Sequence, residues 1–324
     1  MKINNSFTTP NFKGYDAAPL KKLYMSSGFD EFKPEMDNIS KKENFKMCYC
    51  NSAESFDQDF KVVLNKDNST FLNMKSCFYQ LGIDDTPEVE KEYGLKVNKY
   101  YKDMLDDENF IDGGNCFLGK FENGKKWMLI GNLSNLGNKL DINKISKEYD
   151  VEPQNILFLN QQDYHLDMFI RPIGFPYVLI DDPALNEDKR NLDPTICMFE
   201  KQNVEKLKAF GFKPIEISGN KSSNVNFMNA VVNKHPDGSI SYITNSSETD
   251  DPKTIEQQKK FEFDLEKALR KAKLKDKNVP KLKNIYFVKG EINGKYNDAM
   301  INLMEGAGGI HCMTLEHPDF DKWA

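Results

Sequence analysis

Two short stretches of this 324-residue chain bring together side chains that can do covalent chemistry. Late in the sequence, Gly306-Ala307-Gly308-Gly309-Ile310-His311-Cys312 sets a thiol on an apolar strand directly after a glycine-rich turn. Glycine allows φ > 0 or a close backbone approach, so a thiol placed there can face a pocket. Taken alone, Cys312 reads equally as a buried structural cysteine. The second stretch, Tyr164-His165-Leu166-Asp167-Met168-Phe169, puts a histidine and an aspartate two apart at the start of an apolar run. Strand alternation would turn both side chains to the same face. A thiolate to attack and an imidazole to shuttle protons are the minimum kit for nucleophilic catalysis. The extra carboxylate suggests a cationic substrate.

Further carboxylates and amides occur in Phe56-Asp57-Gln58-Asp59-Phe60 and Ile111-Asp112-Gly113-Gly114-Asn115. Either could be a plain turn, since Asp and Asn often cap local backbone. What sets Asp59, Asp112 and Asn115 apart is their place in a larger pattern. Apolar alternation and turn chemistry predict hairpins over 115–131, 167–180 and 226–244, folding near Gly124, Gly174 and Gly238. A weaker hairpin begins at Asp59, and a last strand is expected over 310–315. Between these starts lie helical segments followed by short strands: 142–149 then 155–159, 204–210 then 214–217, and 255–272 then 285–288. The unit is therefore hairpin, helix, strand, at a spacing of roughly fifty to sixty residues with a longer final interval. If five such units close around an axis, their hairpin starts share one end of it. Asp59, Asp112 with Asn115, His165 with Asp167, Asn224 with Asn229, and Cys312 would then line one pocket.

Composition limits the setting. Hydrophobic residues make up 39% and charged residues 29%, the mixture of a soluble globular protein. A formal net charge of -6 without clustered Lys and Arg argues against nucleic acid or an anionic membrane as partner. Neither a signal-peptide core nor a membrane span is found, so a cytoplasmic protein is expected. Six cysteines are scattered without metal-ligand spacing, which does not suggest a disulfide framework. The lysine-rich stretch 259–283 reads as the solvated face of a helix and the linker after it.

The combination Asp-Gly-Gly-Asn, His-Leu-Asp and Gly-Gly-Ile-His-Cys, in that order, resembles the guanidine-modifying (pentein) superfamily of agmatine, arginine and protein-arginine deiminases. The resemblance spans residues 59–316 and is carried by short motifs. It implies an α/β fold, a five-bladed pseudo-symmetric propeller of hairpin-helix-strand modules, with residues 45–324 as one catalytic domain after an N-terminal extension, 1–44, that is partly irregular. It also implies that Cys312 attacks the guanidinium carbon, that Asp59 and Asp167 hold the guanidinium nitrogens, and that His165 protonates the departing ammonia and then activates water. Asp112, Asn115, Gly309 and His311 are expected around the substrate, and no metal or cofactor is required. A guanidinium stays protonated at any working pH, so a buried site must offer it carboxylates. The family's run after the first carboxylate is not continued here, which leaves Asp57 as an alternative to Asp59.

The expected reaction is hydrolysis of a free or peptidyl guanidine to a ureido product and ammonia. The sequence leaves open which guanidine is used and whether the chain forms a homo-oligomer. Alternatives are an amidinotransferase using the same cysteine, a propeller that has become a binding protein, and a zinc-stabilised module with His165, Asp167, His311 and Cys312 as ligands.

Overall fold

In the computed structural model, the residues described are 18–51, 60–65, 69–73, 86–97, 111, 113–133, 139–161, 165–185, 193–219, 226–246, 252–292, 295–296 and 309–319. They form a repeated unit. In the first blade, β1 (Leu20–Ser26) is followed by α1 (Lys33–Glu43) and then β2 (Lys46–Cys50), parallel to β1. The second has an antiparallel hairpin of β3 (Lys61–Leu64) and β4 (Thr70–Asn73), then α2 (Thr86–Tyr93), then β5 (Lys96–Val97) parallel to β4. The third repeats this with β6 (Cys116–Lys120), β7 (Lys126–Gly131), α3 (Ile142–Tyr149) and β8 (Ile156–Leu159). The fourth uses β9 (Ile170–Pro172), β10 (Tyr177–Asp181), α4 (Pro194–Phe210) and β11 (Lys213–Ile217). The fifth uses β12 (Ala230–Lys234), β13 (Ile240–Asn245), α5 (Pro252–Lys275) and β14 (Leu282–Val288). A two-stranded hairpin, β15 (Glu291–Ile292) and β16 (Lys295–Tyr296), precedes the last strand, β17 (Thr314–Pro318).

β17 pairs antiparallel with β1, from Leu20 opposite Pro318 to Met25 opposite Thr314. Among the described residues it is the hairpin partner of β1, so one blade joins segments from early and late in the chain. Residues 20–43, which the sequence reading grouped with an N-terminal extension, thus contribute β1 and α1 to this blade. The backbone carbonyl of Pro19 accepts from the Asp319 N–H at 2.7 Å, and Asn233 Oδ1 of the fifth blade accepts from the Leu20 N–H at 2.9 Å.

The core shows why the strands are apolar on both faces. Alternate residues of a strand serve different neighbours. On β7, Met128 and Ile130 pack with Val63, Leu64 and Phe71 of the second blade, whereas Trp127 and Leu129 pack with Ile170, Val178 and Ile180 of the fourth. On β10, Tyr177 and Leu179 turn the other way, toward Val232 and Tyr242. On β12, Val231 joins Leu23, Met25 and Met36 of the first blade. Tyr24 completes the circuit with Val62 and Leu72 of the second. Five clusters, one at each seam, describe a closed ring: a five-bladed α/β propeller. Each seam removes apolar side chains from water at about 25 cal/mol per Å², and this burial is the main favourable term in the fold.

Local signals place the elements. Gly124 and Gly238 hold φ at 80° and 79° in the tight turns of the third and fifth hairpins. Asp141 caps α3 by accepting from the N–H groups of Asn143 and Lys144. Asp193 does the same for α4, which has Pro194 in its first turn and ends at Gly211. Two expectations are corrected. Leu166–Met168 is a 3-10 turn leading into β9 and not part of the strand. Residues 310–313 form a turn, and β17 begins only at Thr314. Among the described residues no helix is long and apolar enough to cross a membrane.

Candidate functional site

Among the described residues, the hairpin starts of the third, fourth and fifth blades meet the turn that leads into β17. The 3-10 turn Gly113–Asn115 before β6 lies against the turn Leu166–Met168 before β9. Asn226 and Asn229 precede β12, and Gly309 to Met313 precede β17; side-chain hydrogen bonds tie these two segments to Asp167 and Met168.

Asp167 is the centre. It is fully buried, and its Oδ2 accepts from His311 Nδ1 at 2.8 Å and from Asn229 Nδ2 at 2.6 Å. The Cys312 thiol donates to the same oxygen at 3.5 Å. Burying a carboxylate is costly unless it is paired or hydrogen-bonded, and here the first and fifth blades contribute three donors to a carboxylate of the fourth. Because an ionised carboxylate only accepts, the proton of this pair sits on His311 Nδ1. Burial, reinforced by the Arg171 guanidinium and by Lys61, holds His311 down to about 4 against the opposing pull of Asp167. The imidazole therefore serves as a neutral donor at neutral pH.

Asn229 sets the position of the thiol. Its Oδ1 accepts from the backbone N–H groups of His311, at 2.9 Å, and Cys312, at 3.3 Å. Its Nδ2 donates to Cys312 Sγ at 3.0 Å, which supports negative charge developing on sulfur. Asn245 extends the clamp: its Oδ1 accepts from Ile310 N at 2.6 Å and its Nδ2 donates to the Asn226 carbonyl at 2.5 Å. These amides take up the backbone donors at 310, 311 and 312, which is why this segment turns where a strand was expected. Gly309 is needed for contact with them, since a Cβ there would lie 2.5 Å from Asn229 Oδ1 and 2.8 Å from Asn245 Nδ2. Sequence reasoning placed these glycines for approach to a ligand; at Gly309 the close approach is to two asparagines.

His165 is buried, with extended backbone immediately before the turn that carries Asp167. Asn115 is also buried, but its Nδ2 donates within its own blade, to the Leu133 carbonyl at 3.2 Å. The structure thus joins Asp167, His311, Cys312 and Gly309 directly, and places His165 and Asn115 at neighbouring blade starts. Asp59, Asp57, Asp112 and Asn224 lie outside the described residues. Sequence reasoning noted Asn229 as a polar residue at a blade start without giving it a role, and it missed Asn226, Asn245, Arg171 and Glu316. The available signal was two asparagines, 226 and 229, just ahead of an apolar strand.

Arg171 on β9 and Glu316 on β17 form a buried ion pair behind the cluster. Among the described residues no group of three or more His, Cys, Asp or Glu side chains is placed to hold a metal ion.

No family model and no curated protein matches the chain. Solved structures do. The agmatine deiminase of C. jejuni superposes with a TM-score of 0.55 at 15% identity, over 97% of this chain and 98% of that one. A Porphyromonas gingivalis protein assigned as an arginine deiminase gives 0.60 at 9% identity, over 95% and 98%. A protein assigned as a peptidyl-arginine deiminase gives 0.57 at 15% identity, over 95% and 99%. The chain shares the five-bladed α/β propeller fold of these solved structures. At these identities the likeness extends to the fold, and the chemistry has to be argued from the site.

Proposed function

We propose that this protein hydrolyses a guanidine of the agmatine or arginine type, free or peptidyl, to a ureido product and ammonia. The observation that carries this reading is the buried Asp167 carboxylate 3.5 Å from the Cys312 thiol, an anion beside a nucleophile at the end of the axis where the blade starts meet. A buried carboxylate is what a permanently charged guanidinium needs, and a charged hydrogen bond also fixes the carbon in front of sulfur. The superposed structures described as deiminases of agmatine, arginine and peptidyl-arginine support the same class.

The reaction divides among the residues as follows. The carboxylate disfavours a negative sulfur 3.5 Å away until a guanidinium arrives to offset it. The thiol proton then passes to His165, the thiolate forms an S–C bond to the guanidinium carbon, and the π electrons of the attacked C=N move onto nitrogen. His165 donates a proton to the departing nitrogen as the C–N bond breaks, releasing ammonia and leaving an S-linked amidino intermediate. Water attacks that carbon while His165 takes its proton. The C–S bond breaks with its electrons returning to sulfur, the extra proton of the ureido product passes to sulfur as the product leaves, and His165 gives the water proton up to solvent, restoring the thiol and the neutral imidazole. Asp59 completes the guanidinium clamp with Asp167, while Asp112, Asn115, Gly309 and His311 shape the pocket around the substrate.

The test is a panel of agmatine, arginine, a peptidyl arginine and simple alkylguanidines, each assayed for ammonia and for the ureido product. Wild type should turn over at least one, Cys312→Ala none, and mass spectrometry of acid-quenched wild type should find the amidino adduct on Cys312. Full ammonia release by Cys312→Ala removes the mechanism. Transfer of the amidino group to an added amine in place of water would assign the amidinotransferase reaction instead.

A further inference from the structure

Arg171 has no part in the chemistry above, yet it is one of the largest fully buried side chains in the protein. Its Nη2 is bound by Glu316. Its Nε and Nη1 meet no acceptor among the described residues. Its guanidinium carbon lies 5.5 Å from the centre of the Phe117 ring, and that ring lies 5.9 Å from the His311 imidazole at an interplanar angle of 33°. Lys61 Nζ stands 5.6 Å from the same phenyl ring. The second, third, fourth and first blades thus contribute Lys61, Phe117, Arg171 and Glu316 to one buried group that backs onto His311.

We propose that Arg171, held by Glu316 and laid over Phe117, is a positioning residue that keeps the His311 imidazole uncharged, so that Asp167 receives a neutral N–H donor and keeps its full negative charge for a cationic substrate. The last clause rests on the functional reading above; the electrostatic part stands on the geometry alone. Burial is the largest influence against a charged His311; among the charged groups around it, Arg171 and Lys61 oppose the imidazolium and the Asp167 carboxylate favours it, with the Cys312 thiol on the same carboxylate oxygen. With His311 charged, Asp167 would be neutralised by its own neighbour, and a guanidinium would meet a preformed ion pair. With His311 neutral, the hydrogen bond orients the carboxylate without cancelling it. Phe117 excludes water and fixes the separation between Arg171 and the imidazole. The low-dielectric surroundings let a cation act across that separation more strongly than it would in water.

The chain has four histidines, His165, His235, His311 and His317, so imidazole NMR of histidine-labelled protein can follow His311, assigned with His311→Gln. In wild type, His311 should remain neutral with its proton on Nδ1 at pH 5.5. In Arg171→Gln, which keeps a donor for Glu316 and removes the charge, its titration midpoint should rise by about one pH unit or more, a tenfold gain in proton affinity. Arg171→Lys should restore the low midpoint. On an active guanidine, the acid limb of the kcat/KM profile should move upward in Arg171→Gln by the same interval. A charged His311 at pH 5.5 in wild type overturns the proposal even if no variant folds. So does an unmoved midpoint in Arg171→Gln accompanied by an equal loss of activity at every pH. The NMR needs no turnover: a protein inactive on every guanidine but with the expected titration would remove the functional reading and leave the electrostatic role of Arg171 in place.

Discussion

Asn229→Asp changes one atom of the hub and nearly conserves its shape. The Oδ1 that accepts from the backbone N–H groups of His311 and Cys312 can remain, but the Nδ2 donor becomes an oxygen 2.6 Å from Asp167 Oδ2. Two effects follow. The charge-assisted hydrogen bond is lost, at about 1.5 to 3 kcal/mol. If both carboxylates ionise, two like charges at 2.6 Å repel by about 6 kcal/mol at an effective dielectric constant near 20. That repulsion exceeds the cost of keeping one carboxyl protonated at neutral pH, so the pair should share a proton and titrate together. The folded variant then holds a proton that the unfolded chain releases above about pH 4. Its stability relative to wild type should be nearly intact at pH 5 and should fall as pH rises through the folded value, by several kcal/mol at pH 9. Denaturant unfolding of both proteins at pH 5, 7 and 9 measures this directly, and kcat/KM should fall at least a hundredfold at the alkaline end. Equal stability of the two proteins from pH 5 to pH 9, within about 0.5 kcal/mol, would mean that Asn229 does not face the Asp167 carboxylate, and the site geometry would have to be redrawn.

Gly309→Ala drives a Cβ into Asn229 and Asn245; the backbone should shift at a cost of about 1 to 3 kcal/mol, and activity should drop about a hundredfold through displacement of Cys312, read as a lower Tm and a lower kcat with covalent labelling retained. Glu200, raised to about 7 from 4.5 by burial and then by Asp182 and Glu216, gives stability that is present at pH 4.5 and lost as pH rises through 7. Glu200→Gln should therefore stabilise the protein at pH 8, by on the order of 2 kcal/mol, and do little at pH 4.5; stabilisation of the same size at both values would contradict the assignment. His317, held down to about 4 by burial and by Lys22 and Lys21, contributes stability that is lost as pH falls from 6.5 toward 4, so His317→Gln should flatten that part of the stability profile by up to about 3 kcal/mol.

What could be read from the sequence was local. The turns at Gly124 and Gly238 announce themselves because only certain residues tolerate their φ, and α3 spans the expected 142–149 because its cap, amphipathic spacing and end all fall within a dozen residues. Cys312 and Asp167 were legible for the same reason: each sits in a motif of a few residues. The pairing of β1 with β17 has no such signature, since nothing near Leu23 specifies Glu316 as its partner. That is why residues 20–43 read as an extension. The role of Asn229 was hidden because its hydrogen-bond partners lie 62 and 83 positions away, and asparagine before a strand ordinarily means a turn. The alternation expected to align His165 with Asp167 failed because the Met168 N–H turns back to the His165 carbonyl at 3.3 Å, closing a 3-10 turn in place of extended chain.

The clasp between the two ends of the chain has a kinetic meaning as well. Bringing β17 to β1 closes a loop of roughly three hundred residues, an entropic toll of about 5 kcal/mol that no local contact can offset in advance. Such a contact belongs late in folding, after the seams between consecutive blades have brought the ends within reach. Cys312 lies two residues ahead of that final strand, and its donor Asn229 and acceptor Asp167 belong to blades that can assemble earlier. The thiol therefore enters its pocket only in the step that shuts the ring. On the proposed mechanism, chains stalled, clipped or strained open at that joint should be inactive, so that turnover would report complete folding.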